Sequence, residues 1–172
     1  SYGEAASRRV NSAQPSFETG LHPSTGSGAQ SLLRTNGGAG ESGVRFAGYA
    51  ALFDREDRGA DIIRRGAFAR AIAAWRGRRV PLLWQHRPDR VIGTVEMLEE
   101  DMRGLRVIGR VEPQAGEAAR LLKGGQVNGL SFGYRVRHAD GKAPRVLKDL
   151  ELVEVSLVTF PMQPEARVHA VG

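Results

Sequence analysis

Cysteine is absent from this 172-residue sequence, which excludes disulfides and thiolate metal ligands. The lack of cysteine also fits a reducing compartment. No apolar run approaches about 18 residues, so a transmembrane helix is not expected. No basic segment followed by an apolar one opens the sequence, so no signal peptide is expected. With 41% hydrophobic residues, the length suits one domain of ordinary size with its own core.

Aromatic residues are also scarce, at 6%, and no strip of them suited to stacking on nucleic-acid bases is visible. The net charge of +6 lies entirely in residues 44–172, where 22 basic side chains outnumber 16 acidic ones. A positive excess can favour acidic partners or nucleic acid. This excess is moderate and spread along the chain, so a role in solubility is favoured. A nucleic-acid-binding barrel therefore ranks last among the hypotheses.

Residues 1–43 differ in composition from the rest of the chain. They contain eight serines and eight glycines, few large apolar residues, and linker-like stretches at 24–28 and 36–43. Such a segment cannot bury enough apolar surface to offset its ordering entropy. We therefore expect a disordered tail over residues 1–43, in which only 31–34 could dock, and a folded domain over 44–172.

Alternating apolar and polar residues predict about seven strands in the folded part, joined more often by short turns than by helices. The expected strands lie at 44–53, 61–64, 80–86, 91–98, 105–111, 126–136 and 150–159, with 145–147 as a further short candidate. Two helices are expected, at about 66–77 and 115–123. The pattern predicts a mainly β (α+β) fold, with a mostly antiparallel sheet closing into a barrel or sandwich and helices on its flank.

Hydroxyl and imidazole side chains are scarce in residues 44–172, which narrows the choices for nucleophilic catalysis. The region contains two serines, two threonines and three histidines: Ser131, Ser156, Thr94, Thr159, His86, His138 and His169. Ser131 lies in mid-strand between Gly129 and Gly133, and side chains two apart share one face of a strand. That face is therefore bare except for one hydroxyl. Such glycines mark a bulge or bend, or a place where another backbone or a ligand approaches closely.

His86 ends a strand, on the same face as Leu82 and Trp84, just before a turn that contains Pro88. It therefore lies at the edge of an apolar surface, where it either caps the sheet or faces a site. His138, in a charged turn, is expected to be solvated. His169 lies near the end of the sequence and is expected to be loosely held.

Glu154 interrupts a run that is apolar on both faces, which is typical of a strand buried on both sides. A buried carboxylate there is costly unless it has a partner. The partner is either an arginine, in a structural pair, or a histidine N–H, in the orienting role of the third member of a triad. Ser156 can hydrogen-bond Glu154 or the backbone, and its bulky aliphatic neighbours make it a poorer nucleophile candidate than Ser131.

Other chemistries find little support in the sequence. No pair of histidines has metal-ligand spacing, and no phosphate-binding glycine loop is present, so neither a metal nor a cofactor is expected. The segment 129–133 (GLSFG) weakly matches the Gly-x-Ser-x-Gly motif of α/β-hydrolases. That motif requires a strand-to-helix turn at the serine. Here the strand continues and His86 precedes Ser131, so this interpretation is rejected.

Six motifs, taken in order, resemble the prohead proteases of tailed bacteriophages and gene-transfer agents. They are 48–53 (GYAALF), 65–68 (RGAF), 81–86 (PLLWQH), 91–94 (VIGT), 128–134 (NGLSFGY) and 152–161 (LVEVSLVTFP). The resemblance extends over about residues 44–168, and the first 43 residues match no family that we can name.

The family is distantly similar in fold to herpesvirus assemblin, so the resemblance implies a closed or nearly closed β-barrel flanked by helices. It implies that Ser131 is the nucleophile and His86 the general base. The third member in assemblins is a second histidine, and Glu154 occupies what looks like the equivalent place here. An acidic third member is therefore expected. Backbone N–H groups near residues 162–163 are candidate oxyanion donors.

The resemblance also implies a function and partners. The expected protein is a serine endopeptidase that cleaves the scaffolding segment of the major capsid protein, and its own chain, during procapsid maturation in the bacterial cytoplasm. Portal or other procapsid proteins are further candidate partners, an oligomer is left open, and neither membrane nor nucleic acid is expected. The alternative is a non-catalytic barrel that binds capsid or scaffold components.

Overall fold

A computed structural model describes residues 42–172, and the tail expected over residues 1–43 falls almost entirely outside them. The described part of the chain forms eight strands and two helices. The strands are β1 (Val44–Leu52), β2 (Asp61–Ile63), β3 (Val80–Trp84), β4 (Arg87–Glu100), β5 (Gly104–Val111), β6 (Gly129–Asp140), β7 (Arg145–Val158) and β8 (Val168–Val171). The helices are α1 (Ala69–Trp75) and α2 (Gly116–Lys123). Neither helix has the length and apolarity needed to cross a membrane.

All eight strands belong to one sheet, in the order β2-β7-β3-β4-β5-β1-β8, with β6 paired to the other edge of β7. β7 is the organising strand because it contacts three others. Its first residues run parallel to β2 and its last residues run parallel to β3. β6 lies antiparallel to β7 along nearly its whole length. The remaining neighbours, from β3 through β4, β5 and β1 to β8, are all antiparallel.

The prediction of a mainly β fold with few helices is confirmed, but the closed or nearly closed, mostly antiparallel barrel of about seven strands is wrong. The sheet curls into a half-barrel, and it is mixed because β2 and β3 both run parallel to β7. Parallel neighbours need a long connection rather than a turn. Local periodicity identifies strands joined by turns, and it carries no signal for partners that are distant in sequence.

Several segments differ from the expected boundaries, among them β6, which begins at Gly129 and extends to Asp140. β4 begins at Arg87, directly after the β3 turn, rather than at residue 91. The short candidate at 145–147 and the strand at 150–159 join into the single strand β7. The final residues form β8, an edge strand beside β1. In each case pairing with a neighbour, rather than the local pattern, sets the strand limits.

The core lies on one face of the sheet and is covered by the two helices. Among its fully buried side chains are Phe68, Ile63, Leu82, Leu105, Leu122, Leu130, Leu147, Leu150 and Leu157. The predicted packing face of β6 is confirmed, because Leu130 is in the core and Phe132 packs edge-on against Phe68 at 5.2 Å. The opposite face of β6, which carries Ser131, is thereby left for the site.

A bulge changes the facing of side chains in the mostly apolar run 152–158 of β7. Its register with β6 shifts between Leu152 and Glu154, which leaves Val153 as an extra residue. The shift reverses which positions point inward. The core residues that flank the bulge are even-numbered before it and odd-numbered after it: Leu150 and Leu152, then Val155 and Leu157. Without this reversal, Glu154 would point into the core.

Hydrogen bonds hold helix α1 beside this bulge. The Trp75 indole N–H donates to the backbone carbonyl of Leu152 at 2.9 Å. At the other end, the Glu100 carboxylate accepts the backbone N–H groups of Gly66 at 3.0 Å and Phe68 at 2.9 Å. The helix therefore covers the core face where β7 changes its inward parity, and it leaves the Ser131 face open.

Candidate active site

The pairing of β6 with β7 assembles three polar side chains on one face of the sheet. Ser131 lies opposite Ser156, and Gly133 lies opposite Glu154. Residues directly opposite each other in an antiparallel pair project to the same side. Ser131 and Glu154 are each only 6% exposed, and Ser156 is fully buried. The sequence predicted two of these residues as functional, and the fold places both in one small patch.

The turn between β3 and β4 brings a histidine over this patch. Gln85 and His86 both have a positive φ, of 52° and 59°, which is uncommon for residues other than glycine. Contacts with the end of β7 hold this conformation. The Gln85 N–H donates to the carbonyl of Leu157 at 3.0 Å. The Gln85 side chain donates to the Thr159 hydroxyl at 2.7 Å and accepts the Thr159 N–H at 3.1 Å. Strained backbone of this kind persists only where its surroundings over-determine it.

His86 and Glu154 form a close pair. The imidazole Nδ1 lies 2.6 Å from Glu154 Oε1, and the other carboxylate oxygen accepts the Ser156 hydroxyl, also at 2.6 Å. An ionised carboxylate only accepts hydrogen bonds, so Nδ1 carries the proton and Nε2 is the free acceptor in the neutral ring. The His86 side chain is 43% exposed, whereas that of Glu154 is 8% exposed. Of the two partners left open for Glu154, the structure places the histidine there.

The other predicted residues occupy different positions relative to this group. Ser131 shares its face, and no hydrogen bond joins Ser131 to His86 among the contacts of residues 42–172. Hydroxyl-to-base contacts of this kind often tighten only when a substrate binds. His138 lies at the far end of β6, and His169 lies on β8, so neither joins the group. For Ser156 the sequence left two hydrogen-bond partners open, Glu154 and the backbone, and its hydroxyl contacts both.

The space beside the two glycines is filled by the protein itself. A Cβ on Gly133 would lie 2.6 Å from Glu154 Oε1. A Cβ on Gly129 would lie 2.6 Å from the carbonyl oxygen of Val158 and 2.9 Å from the ring of Pro161. These glycines therefore make room for the carboxylate and for the segment after β7. Of the alternatives left open for these glycines, the close approach is thus made by atoms of the protein itself.

The segment that follows β7 is tied down on its opposite side. The buried Gln163 amide accepts the N–H of Leu52 at 2.7 Å and donates to the Leu52 carbonyl at 2.9 Å. The Met162 carbonyl accepts the N–H of Arg58 at 3.1 Å. The side chain of Gln163 is thus used structurally. The assignment of oxyanion donors to the backbone of residues 162–163 stays a prediction.

A second buried carboxylate lies at the other end of β7. Asp61 accepts two hydrogen bonds from the Arg145 guanidinium, both at 2.8 Å, and one from the Tyr134 hydroxyl at 2.9 Å. Hydrogen bonding to Asp61 raises the pKa of Arg145. Burial, followed by the charge of Asp61, raises the pKa of Tyr134 above its usual range. Sequence reasoning missed this cluster, since its members are up to 84 residues apart.

The fold is similar to those of two solved viral proteases. The described half-barrel is similar to the bacteriophage T4 capsid assembly protease gp21, with a TM-score of 0.57 and 12% identity over 67% of this chain and 81% of that one. It is also similar to KSHV protease, solved in complex with a hexapeptide phosphonate inhibitor, with a TM-score of 0.53 and 13% identity over 76% of this chain and 65% of that one. The expected assemblin-like fold is thus confirmed as a half-barrel.

The chain belongs to the caudovirus prohead serine protease family, whose profile matches residues 31–172. It is 35% identical over 141 residues to the prohead protease of Enterobacteria phage HK97, covering 77% of this chain and 62% of that protein. It is 30% identical over 104 residues to the capsid polyprotein of Pseudomonas phage PAJU2, covering 54% of this chain and 16% of that protein. The chain therefore spans less than two thirds of either relative. The family resemblance predicted from the motifs is confirmed.

Proposed function

We propose that this protein is a serine endopeptidase of capsid maturation, with Ser131 as nucleophile, His86 as general base and Glu154 as the orienting acid. The observation that carries the proposal is the 2.6 Å pair between His86 Nδ1 and Glu154 Oε1, on the sheet face that bears Ser131. Membership of the prohead serine protease family supports the same reaction.

The reaction follows from the hydrogen-bond pattern. His86 Nε2 takes the Ser131 proton as the hydroxyl oxygen attacks a peptide carbonyl, and the resulting imidazolium then protonates the leaving amine as the C–N bond breaks. Water attacks the acyl-enzyme ester, with His86 again accepting and returning the proton. Glu154 keeps the proton on Nδ1 and stabilises the imidazolium. Loss of the Nδ1 partner would leave either ring nitrogen free to carry the proton.

The proposed substrates are the scaffolding segment of the major capsid protein and the protease's own chain. The similarity to a capsid polyprotein, in which a related sequence is part of a longer capsid chain, supports a capsid protein as partner. The proposed site of action is the interior of the assembling procapsid, in the bacterial cytoplasm. Portal and other procapsid proteins are candidate further partners.

Labelling with a peptide phosphonate tests the nucleophile without knowledge of the natural substrate. Such a reagent bonds covalently to an activated serine, so we expect one adduct, located on Ser131 by mass spectrometry. Ser131→Ala and His86→Ala should abolish labelling, and His138→Ala, which changes an exposed histidine outside the site, should leave it intact. Labelling that persists in Ser131→Ala would contradict the proposal.

Cleavage of the co-expressed capsid protein tests the substrate. The wild-type chain should shorten the capsid protein, and Ser131→Ala should leave it full-length because removal of a triad member costs several orders of magnitude in rate. A Ser131→Ala protein that still folds and still cleaves would disprove the catalytic role. An unlabelled protein that binds the capsid protein without cutting it would favour the non-catalytic binding alternative.

A further inference from the structure

Ser156 is the polar residue of this site to which the mechanism assigns no role. Its side chain is fully buried, in contrast to the partly exposed His86. Its hydroxyl donates to Glu154 Oε2 at 2.6 Å and accepts the backbone N–H of His86 at 3.2 Å. One hydroxyl therefore contacts both members of the pair.

The contact with the His86 backbone comes where regular sheet pairing stops. β3 runs parallel to β7 through Trp84, and the last main-chain hydrogen bond is that from Gln85 to the Leu157 carbonyl. The next N–H belongs to His86, and the positive φ of the preceding residue, Gln85, turns this N–H away from the ladder. The Ser156 hydroxyl supplies the acceptor for this N–H. The pairing of β3 with β7 thus extends by one residue, with a side-chain hydroxyl of β7 as the acceptor in place of a backbone carbonyl.

The contact with Glu154 fixes the rotation of the carboxylate. With Oε2 held by the Ser156 hydroxyl, Oε1 points at the imidazole. Donation to an ionised carboxylate is among the stronger hydrogen bonds in proteins. The same hydroxyl cannot serve as a nucleophile in this arrangement, because its proton is committed to Glu154 and the side chain has no exposed surface.

We propose that Ser156 is a positioning residue that locks the His86 turn and the Glu154 carboxylate to each other, so that Nε2 is directed toward Ser131. This inference rests on the proposed function for its effect on rate, but the lock itself is a property of the folded chain. A residue that only filled space would be replaceable by any side chain of similar volume. A residue that positions the pair is replaceable only by one that keeps the hydroxyl.

The first experiment compares three substitutions by their cleavage kinetics. Ser156→Ala removes the hydroxyl, Ser156→Cys keeps nearly the same volume with a weak donor, and Ser156→Thr keeps the hydroxyl. We expect kcat to fall by about 100-fold in the Ala and Cys variants, the loss typical of a misplaced catalytic group, with KM changing little. Ser156→Thr should recover most of the rate. Wild-type kcat in a folded Ser156→Cys protein would overturn the proposal.

Thr94→Val is the matched control. Thr94 Oγ1 is buried and has no hydrogen-bond partner among residues 42–172. Removing this hydroxyl should leave kcat unchanged, because it contacts neither member of the pair. A loss of kcat equal to that of Ser156→Ala would show that any buried hydroxyl matters, and would count against a specific role for Ser156.

The second experiment measures the tautomer of the His86 ring directly and does not depend on activity. Nitrogen-15 NMR of the His86 ring is recorded in the Ser131→Ala background, which also prevents self-cleavage. We expect a single Nδ1–H tautomer with a strongly deshielded proton in Ser131→Ala and in Ser131→Ala/Ser156→Thr. In Ser131→Ala/Ser156→Cys, the tautomers should mix and the deshielded proton should broaden. An unchanged His86 spectrum in the Cys variant would overturn the inference.

The two experiments separate failure of this inference from failure of the proposed function. If Ser131→Ala still cleaves, the proposed function fails, and the NMR comparison still decides whether Ser156 holds the pair. If Ser131→Ala is inactive and Ser156→Cys has both wild-type kcat and a wild-type spectrum, the function stands and the positioning role is disproved. Circular dichroism melting of each variant identifies any that fail to fold, and Ser156→Cys is the substitution least disruptive to packing.

Discussion

Two buried carboxylates lie beside or on β7, and their sites are built differently. Arg145, at the start of β7, binds Asp61, and Glu154 lies near the end of the strand. Asp61 of β2 lies directly opposite Arg145 in the parallel pairing, and its side chain is 3% exposed. The Glu154 side chain is 8% exposed. Asp61 is bound by a guanidinium, which stays protonated at any physiological pH. Glu154 is bound by an imidazole, whose second ring nitrogen is an open acceptor in the neutral ring.

The difference shows that burial of a carboxylate serves a different purpose at each site. The Asp61 site satisfies its carboxylate with a bidentate ion pair to Arg145 and with the Tyr134 hydroxyl. The Glu154 site keeps a hydrogen bond to a histidine whose other nitrogen is open. Burial of the carboxylate therefore serves stability in the first case and, in the proposed mechanism, proton transfer in the second.

Replacing each carboxylate by its amide should separate the two sites most strongly. Glu154→Gln is expected to lower the cleavage rate by about 10³ to 10⁴, because an amide no longer fixes the imidazole tautomer. Thermal unfolding should change little, since the shape is kept. In the corresponding variant of the other site, Asp61→Asn, the molecules that fold should cleave at the wild-type rate. Equal loss of activity in both, measured as kcat/KM at matched folded concentration, would break the contrast.

Removing the Asp61 side chain should have the larger effect on stability. Asp61→Ala leaves Arg145 and Tyr134 without their partner, and breaking a buried pair costs about 3–5 kcal/mol. The lower end is expected because the Arg145 side chain is 33% exposed and can rehydrate. Urea denaturation measures the loss. Glu99→Ala, which removes an exposed pair with Arg106, is the control and should cost less than about 1 kcal/mol.

Adding one methyl group should disturb the Glu154 site alone. Gly133→Ala places a Cβ against the carboxylate, and the resulting displacement is expected to reduce cleavage by about 100-fold. Gly116→Ala is the matched control, because nothing lies within 4 Å of its Cβ position. Both variants should be compared in kcat and in melting temperature. A fully active Gly133→Ala protein would show that the carboxylate tolerates movement.

The smallest effect is expected in the pH dependence of stability. The pKa of Tyr134 is raised in the folded state by burial and then by Asp61, so above about pH 10 the unfolded chain releases this proton more readily. Stability of the wild type should therefore fall as the pH rises through this range. Tyr134→Phe should be less stable by about 1 kcal/mol near neutrality, and the gap should narrow in alkali. A constant gap in urea denaturation from pH 8 to about 11 would contradict this.

The members of the candidate site were predictable because their signals are local or compositional. Few hydroxyls and imidazoles occur in the folded part, and Ser131 is marked by its flanking glycines. Glu154 is conspicuous as the one charge in an apolar run. The sequence left its partner open between arginine and histidine, because the choice depends on which turn lies over β7.

The architecture was less predictable because it depends on contacts between distant residues. The parallel pairing of Asp61 with Arg145 spans 84 residues, and neither strand carries a pattern that specifies the other. The bulge at Val153 also made it impossible to predict which side chains of β7 face the core. In an apolar run, a bulge that changes the inward-facing positions gives the same pattern as a strand buried on both sides. Seven strands joined by turns could equally have closed into a barrel.

The order in which the chain is made has a consequence for when it can cut. The His86 turn is synthesised well before β7, yet its contacts with Glu154, Ser156, Leu157 and Thr159 all lie in or just after that strand. A nascent chain that ends before residue 154 holds neither the acid nor the β7 contacts that support the turn. Under the proposed mechanism, peptide cleavage therefore cannot begin until translation has passed β7.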